Sequence, residues 1–169
     1  MRHVFWLREG VICGRSGPNR DAWNPHDLAV AGVGAVLSVN DGELVRPDEL
    51  AAVGIAHCCV PLSDAAPPEA GDLEICINAL PRALSFAVRS IASRRSVLVH
   101  CTSGKDRTAM FLSYYLCATE RLSPATAIRE VRRVRPIALS AIGWDQFAHQ
   151  VLEELASAVH VHRKGRLGG

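Results

Sequence analysis

Val97-Leu98-Val99 is an uninterrupted apolar run that leads through His100-Cys101 into a loop of small residues, Thr102-Ser103-Gly104, and then into a helical pattern. A strand without polar alternation is buried on both faces, which happens at the centre of a parallel sheet covered by helices on both sides. Val33 to Val39 repeats the pattern and ends at Asn40-Asp41-Gly42; Ile55 to Leu62 gives a third strand, followed by the loop Ser63-Asp64-Ala65-Ala66-Pro67-Pro68. Between and after these runs, helical spacing is expected over 25–31, over 72–93 with Pro81 as a candidate interruption, and over 108–120. Two more helices follow: one after the Ser123-Pro124 start signal as far as 134, and one over 142–159. Strands alternating with helices predict an α/β fold, a mainly parallel central sheet flanked by helices. The whole is expected as one domain over 1–159, with 160–169 a flexible basic tail.

Size and charge narrow the functions open to such a fold. A chain of 169 residues suits a single core, and a formal charge of +2 is too small to point to nucleic acid or a membrane surface. No apolar stretch is expected to reach bilayer length and no secretory leader is apparent, so a cytoplasmic location without a transmembrane segment is expected. The six cysteines are irregularly spaced and include no C-x-x-C pair, which argues against a disulfide framework and a zinc site.

The chemistry concentrates in His100-Cys101-Thr102-Ser103-Gly104-Lys105-Asp106-Arg107-Thr108. A tight loop entering a helix aims backbone N–H groups and the positive end of the helix dipole at one point, which is what a phosphate monoester requires. Gly104 permits backbone geometry that other residues resist, and Arg107 supplies a permanently charged planar fork for two phosphate oxygens. The same surroundings favour a thiolate at Cys101, placed to attack phosphorus. The Thr108 hydroxyl can donate to that thiolate and help it leave. Cys76 and Arg82 share the spacing but have no preceding strand and no intervening glycine, and Pro81 stands between them. A nucleotide-binding P-loop does not fit, because Asp106 follows Gly104-Lys105 and Val99 stands where its first glycine belongs.

This nine-residue segment resembles the phosphate-binding loop of the protein tyrosine phosphatase superfamily, and in particular the small dual-specificity and bacterial tyrosine/lipid phosphatases whose loop reads Gly-Lys-Asp-Arg-Thr. The looser resemblance runs from about Trp6 to Leu155 and takes in Gly14-Arg15-Ser16-Gly17-Pro18 and Val60-Pro61-Leu62-Ser63-Asp64; Ala109 departs from it where many members have glycine. It implies a dual-specificity-phosphatase-like fold, a phosphocysteine intermediate on Cys101, and phosphate binding by Thr102, Ser103, Gly104, Lys105, Asp106 and Arg107. It also implies a general acid on an upstream loop, a place that Asp64 fits; Asp106 and Asp72 are the alternatives. His100 is expected to hold the loop from behind.

The expected substrates are phosphotyrosine proteins, phosphoserine or phosphothreonine proteins, and phosphoinositides. Lys105 bears on the last of these, because it is one of two lysines in a chain with seventeen arginines and sits within the loop. No cofactor or metal is called for, since Arg107 and the amides supply the charge. The competing readings are an inactive phosphate-binding module and a thiol redox enzyme of the arsenate-reductase type. The latter needs a resolving thiol, for which Cys58 or Cys59 would serve. Arg129, Arg132 and Arg133 are expected to form a solvated basic face.

Overall fold

The computed structural model describes residues 4–164, with side chains through 158. Its five strands are β1 (Phe5–Arg8), β2 (Ile12–Ser16), β3 (Val33–Ser38), β4 (Ala56–Cys59) and β5 (Ser96–Cys101). They lie in the order β1-β2-β5-β3-β4, and only the β1–β2 pair is antiparallel. β5 is therefore central, with β2 and β3 bonded to its two edges, and its apolar run is the consequence.

The six α-helices among the described residues are α1 (Pro25–Val30), α2 (Pro47–Ala52), α3 (Asp72–Ala92), α4 (Asp106–Glu120), α5 (Pro124–Val134) and α6 (Trp144–Lys164). Side-chain alternation on the strands sorts them into two layers. Ala35, Leu37 and Val39 of the β3 region and Val97, Val99 and Cys101 of β5 join the larger core, shared with α3 to α6. Val36 and Leu98 point the other way, into a smaller core with Leu28 of α1 and Leu50 of α2. This parity puts the Cys101 side chain in the four-helix layer and His100 beneath the two short helices.

Ser123 Oγ accepts from Thr126 N to start α5, the cap that the sequence predicts, and the Asn24 side chain, which sequence reasoning did not single out, accepts from the amides of His26 and Asp27 to start α1. Several expectations need correction. β1, β2 and α2 are additional elements, joined in the first case by a turn whose Gly10 has φ +67°. β4 is shorter than the predicted run. Pro81 sits inside α3 at an exposed position without ending it. α4 starts at Asp106, two residues before the predicted start, so Asp106 and Arg107 belong to its first turn. α6 continues to Lys164, and 165–169 of the expected tail lie outside the described residues.

Among the described residues α3, 21 residues long, is by length and composition apolar enough to cross a membrane, with an 18-residue window of mean hydropathy 1.2. Its buried face, Cys76, Leu80, Ala83 and Ala87, is part of the larger core. The basic stripe on α5 is not simply solvated either: Arg132 donates to the Ala138 carbonyl and pairs with Asp145 of α6 at 2.6 Å, and Arg133 pairs with Glu130.

Candidate active site

At the C-terminal end of β5 the chain leaves the sheet through Thr102-Ser103-Gly104-Lys105 and enters α4. Four consecutive carbonyls of this loop are occupied. Thr102 O accepts from Gly17 N at 3.1 Å, Ser103 O and Gly104 O from the Arg135 guanidinium at 3.1 and 3.3 Å, and Lys105 O from Leu139 N at 3.4 Å. The amides of Ser103, Gly104 and Lys105 enter no backbone–backbone hydrogen bond among the described residues. A loop whose carbonyls are held by outside groups while its amides stay unspent is a concavity for an anion at a helix N-terminus. Gly104, at φ +60°, is needed for this shape, since a Cβ there would stand 2.4 Å from the backbone of Arg15.

Cys101 is 1 % exposed, and its Sγ accepts a hydrogen bond from Thr108 Oγ1 at 3.2 Å. Thr108, one turn into α4, is itself fully buried, so the pair is fixed by the core. Asp106, also buried, accepts from Ala141 N at 3.1 Å, and its other oxygen lies 3.5 Å from Lys105 Nζ. It thereby ties the 138–141 segment to the loop. Asp72 is occupied at the start of α3, accepting from Glu69 N at 2.6 Å.

A second set of carbonyls fixes the loop after β4. Arg107 Nε donates to Ser63 O at 2.9 Å, Arg107 Nη2 donates to Asp64 O, and Trp144 Nε1 donates to Ala65 O at 2.9 Å. The guanidinium also stacks 4.8 Å from the Trp144 ring centre. Arg107 thus connects the two loops, and the Asp64 side chain projects from a segment held by its backbone into solvent. Sequence reasoning did not find Trp144, Arg135 or Gly17. Each acts through a hydrogen bond to a loop far away in sequence; Gly17 lay within the segment 14–18 that carries the looser resemblance, and nothing marked the other two.

Behind the loop, His100 is fully buried, with Trp23 edge-on at 4.6 Å and Ser38 Oγ 2.6 Å from its Nε2. Burial pushes the imidazole down to about 3 from 6.5, with the positive charges of His57 and Arg15 acting in the same direction and the Cys101 backbone opposing. The native state therefore excludes a proton that the unfolded chain takes up below pH 6.5. Stability is whole above that pH and is lost as pH falls towards 3. Between pH 7 and pH 5 this amounts to about 2 kcal/mol. Denaturant titrations at the two pH values should show that loss in the native chain, reduced by a similar amount in His100→Gln; equal losses in both would assign the acid sensitivity elsewhere.

Comparison with known proteins identifies the family and the fold. The family described as Swiss Army Knife protein, DSP-PTPase phosphatase domain, matches residues 1–160. Rat (Rattus norvegicus) dual specificity protein phosphatase 12 is 28% identical over 158 residues, 94% of this chain and 43% of that protein, so the chain spans less than half the length of that relative. The fold is shared with Tk-PTP in its active form (TM-score 0.71, 22% identical, 91% of this chain and 96% of that one). It is shared also with human DUSP28 (0.70, 22%, 92% and 97%) and with PTPMT1 (0.71, 18%, 93% and 98%).

Proposed function

Since the chain belongs to the dual-specificity type of protein tyrosine phosphatase, we propose that it hydrolyses phosphate monoesters through a phosphocysteine intermediate on Cys101. The observation that carries this reading is the loop of four engaged carbonyls and unspent amides around a buried thiol that Thr108 addresses.

The phosphate sits against the amides of 103–105 at the N-terminus of α4. Arg107 keeps donors free for it beyond the two given to Ser63 and Asp64, because a guanidinium has five N–H groups. The Cys101 thiolate attacks phosphorus, the P–O ester bond breaks, and Asp64 gives its proton to the leaving oxygen. Water then attacks phosphorus and loses a proton to Asp64. The P–S bond breaks, inorganic phosphate departs, and the sulfur leaves as a thiolate that accepts from Thr108 Oγ1. Stabilisation of the charge on the transferring phosphoryl group comes from the amides and Arg107. Thr102 and Ser103 line the loop, Lys105 and Asp106 form its base, and none of these four takes part in bond making.

Phosphotyrosine proteins are the first substrate of this reading, with phosphoserine and phosphothreonine proteins beside them. Phosphoinositides are a second class, supported by the Lys105 ammonium in the loop and by the fold shared with PTPMT1, which has been crystallised with PI(5)P. Release of inorganic phosphate from a phosphotyrosine peptide and from a phosphoinositide, measured side by side, tests the activity and ranks the substrates. Asp64→Asn should lower kcat by about 10²- to 10³-fold on a substrate with a poor leaving group and remove the fall in rate at high pH. An unchanged profile in that variant would transfer the acid role to another group.

The thiol redox alternative has less support. Cys76, whose sulfur feels the charge of Arg107, is fully buried, and burial pushes its thiol up, which makes it a poor resolving nucleophile. Cys59 is exposed but is likewise pushed up, by partial burial and by Glu43. A non-catalytic phosphate-binding module would bind the same esters without releasing phosphate. A location in the cytoplasm remains part of this proposal, as does a single phosphatase domain over 1–159.

A further inference from the structure

Ser38 Oγ lies 2.6 Å from His100 Nε2 and 2.8 Å from Nε2 of His57, a half-buried residue of β4. The three residues stand on neighbouring strands of the sheet, Ser38 directly opposite His100, on the face away from the Cys101 side chain. A hydroxyl has one hydrogen, so it cannot donate to both rings. At least one imidazole must therefore donate to Ser38, and if one ring presents a bare Nε2 the hydroxyl donates to that ring and accepts from the other.

The far side of His100 decides between the two arrangements. Its Nδ1 is buried without a hydrogen bond of normal geometry. A Cβ on Gly17 would stand 3.1 Å from the Cys101 carbonyl oxygen and 3.3 Å from His100 Nδ1, so these two atoms border the same small space. The Cys101 backbone acts on the ring as a hydrogen-bond acceptor, which favours an N–H at Nδ1 over a bare nitrogen facing another lone pair. The remaining charges near the ring are those of Arg15, paired with Asp21, which raise the cost of a second proton.

We infer that His57, Ser38 and His100 form a directed hydrogen-bond chain, His57 Nε2–H to Ser38 Oγ–H to His100 Nε2, that sets the tautomer of His100 and thereby holds the peptide of Cys101 in its reactive orientation. Ser38 and His57 are positioning residues, and the chain runs from the sheet's edge strand to the nucleophile's own carbonyl. The inference rests on the reading of Cys101 as nucleophile, yet it concerns the reactivity of the thiol and not turnover alone.

The experiment compares His57→Ala, His57→Gln, Ser38→Ala and the double variant Ser38→Ala/His57→Ala. Two quantities are read: kcat and KM on an aryl phosphate, and the pH profile of Cys101 alkylation by iodoacetamide, resolved by peptide mass spectrometry. Ser38→Ala should lower kcat about 10-fold and His57→Ala about 3-fold with KM nearly constant, and the double variant should be no worse than Ser38→Ala. The alkylation profile should shift in the same variants. Glutamine at 57 keeps an N–H for Ser38 and should restore both quantities. Should Ser38→Ala fail to fold, the His57 pair decides alone. A His57→Ala chain with native kcat and a native alkylation profile overturns the inference, and so does a glutamine variant no better than alanine. If the native chain releases no phosphate, the alkylation profiles still judge the hydrogen-bond chain while the phosphatase reading fails by itself.

Discussion

Cys101→Ser is expected to abolish phosphate release, a loss of at least about 10⁴-fold, while phosphate-ester binding persists. A serine hydroxyl is not ionised near neutral pH, and Thr108 Oγ1, 3.2 Å from the sulfur, is no general base that could activate it. The exchange changes little else. The site is 1 % exposed and the side chains are nearly equal in volume, while a serine hydroxyl finds a hydrogen-bond partner in Thr108. The amides of the loop and Arg107 are untouched, so titration calorimetry with an aryl phosphate should show binding close to native. Turnover within about 100-fold of native would mean that the thiol is not the nucleophile. Binding without turnover in the native chain as well would identify a recognition module.

Gly104→Ala should also be strongly damaging, for a steric reason that can be isolated. At φ +60° an alanine costs about 1–2 kcal/mol wherever it stands. Here its methyl would also come within 2.4 Å of Arg15 C and O and 2.7 Å of Ser16 N. These are backbone atoms of a strand bonded to β5 in register, so no rotamer change relieves the contact. The loop must shift, and a displacement of this size at a nucleophile lowers kcat by about 10²-fold or more. Total destabilisation should exceed about 3 kcal/mol. Gly10→Ala is the control: its φ is +67° but nothing lies within 4 Å of the added methyl, so thermal denaturation should show the conformational cost alone and kcat should be native. Equal effects of the two substitutions on stability and rate would reject the close-approach argument.

What was legible in the sequence follows from how the information is distributed along the chain. Cys101, Gly104, Arg107 and Thr108 fall within eight residues bounded by a strand and a helix, so contiguous reading was enough to place them together. The apolar runs of β3 and β5 were legible because both faces of those strands are buried. β1 alternates between buried and half-buried positions over four residues at an edge, too short a pattern to stand out. β2 is interrupted by Gly14 and the buried Arg15, whose charge is answered by Asp21. The supports of the two loops were not legible. Arg135 reaches Ser103 over 32 positions and Trp144 reaches Ala65 over 79, and such bonds depend on how α5 and α6 pack. The α4 start was misplaced because Asp106 and Arg107 read as loop chemistry, although their backbone is already helical.

The grip of Arg107 on the Ser63 and Asp64 carbonyls has a thermodynamic consequence. In the proposed mechanism one guanidinium serves both the substrate's phosphate and the segment that carries Asp64, so the two equilibria share a term. By linkage, whatever free energy a bound phosphate contributes to holding the 63–65 segment in place, that segment in place contributes equally to retaining phosphate. In the proposed mechanism, occupancy of the anion cradle and placement of the Asp64 proton donor are therefore coupled through Arg107.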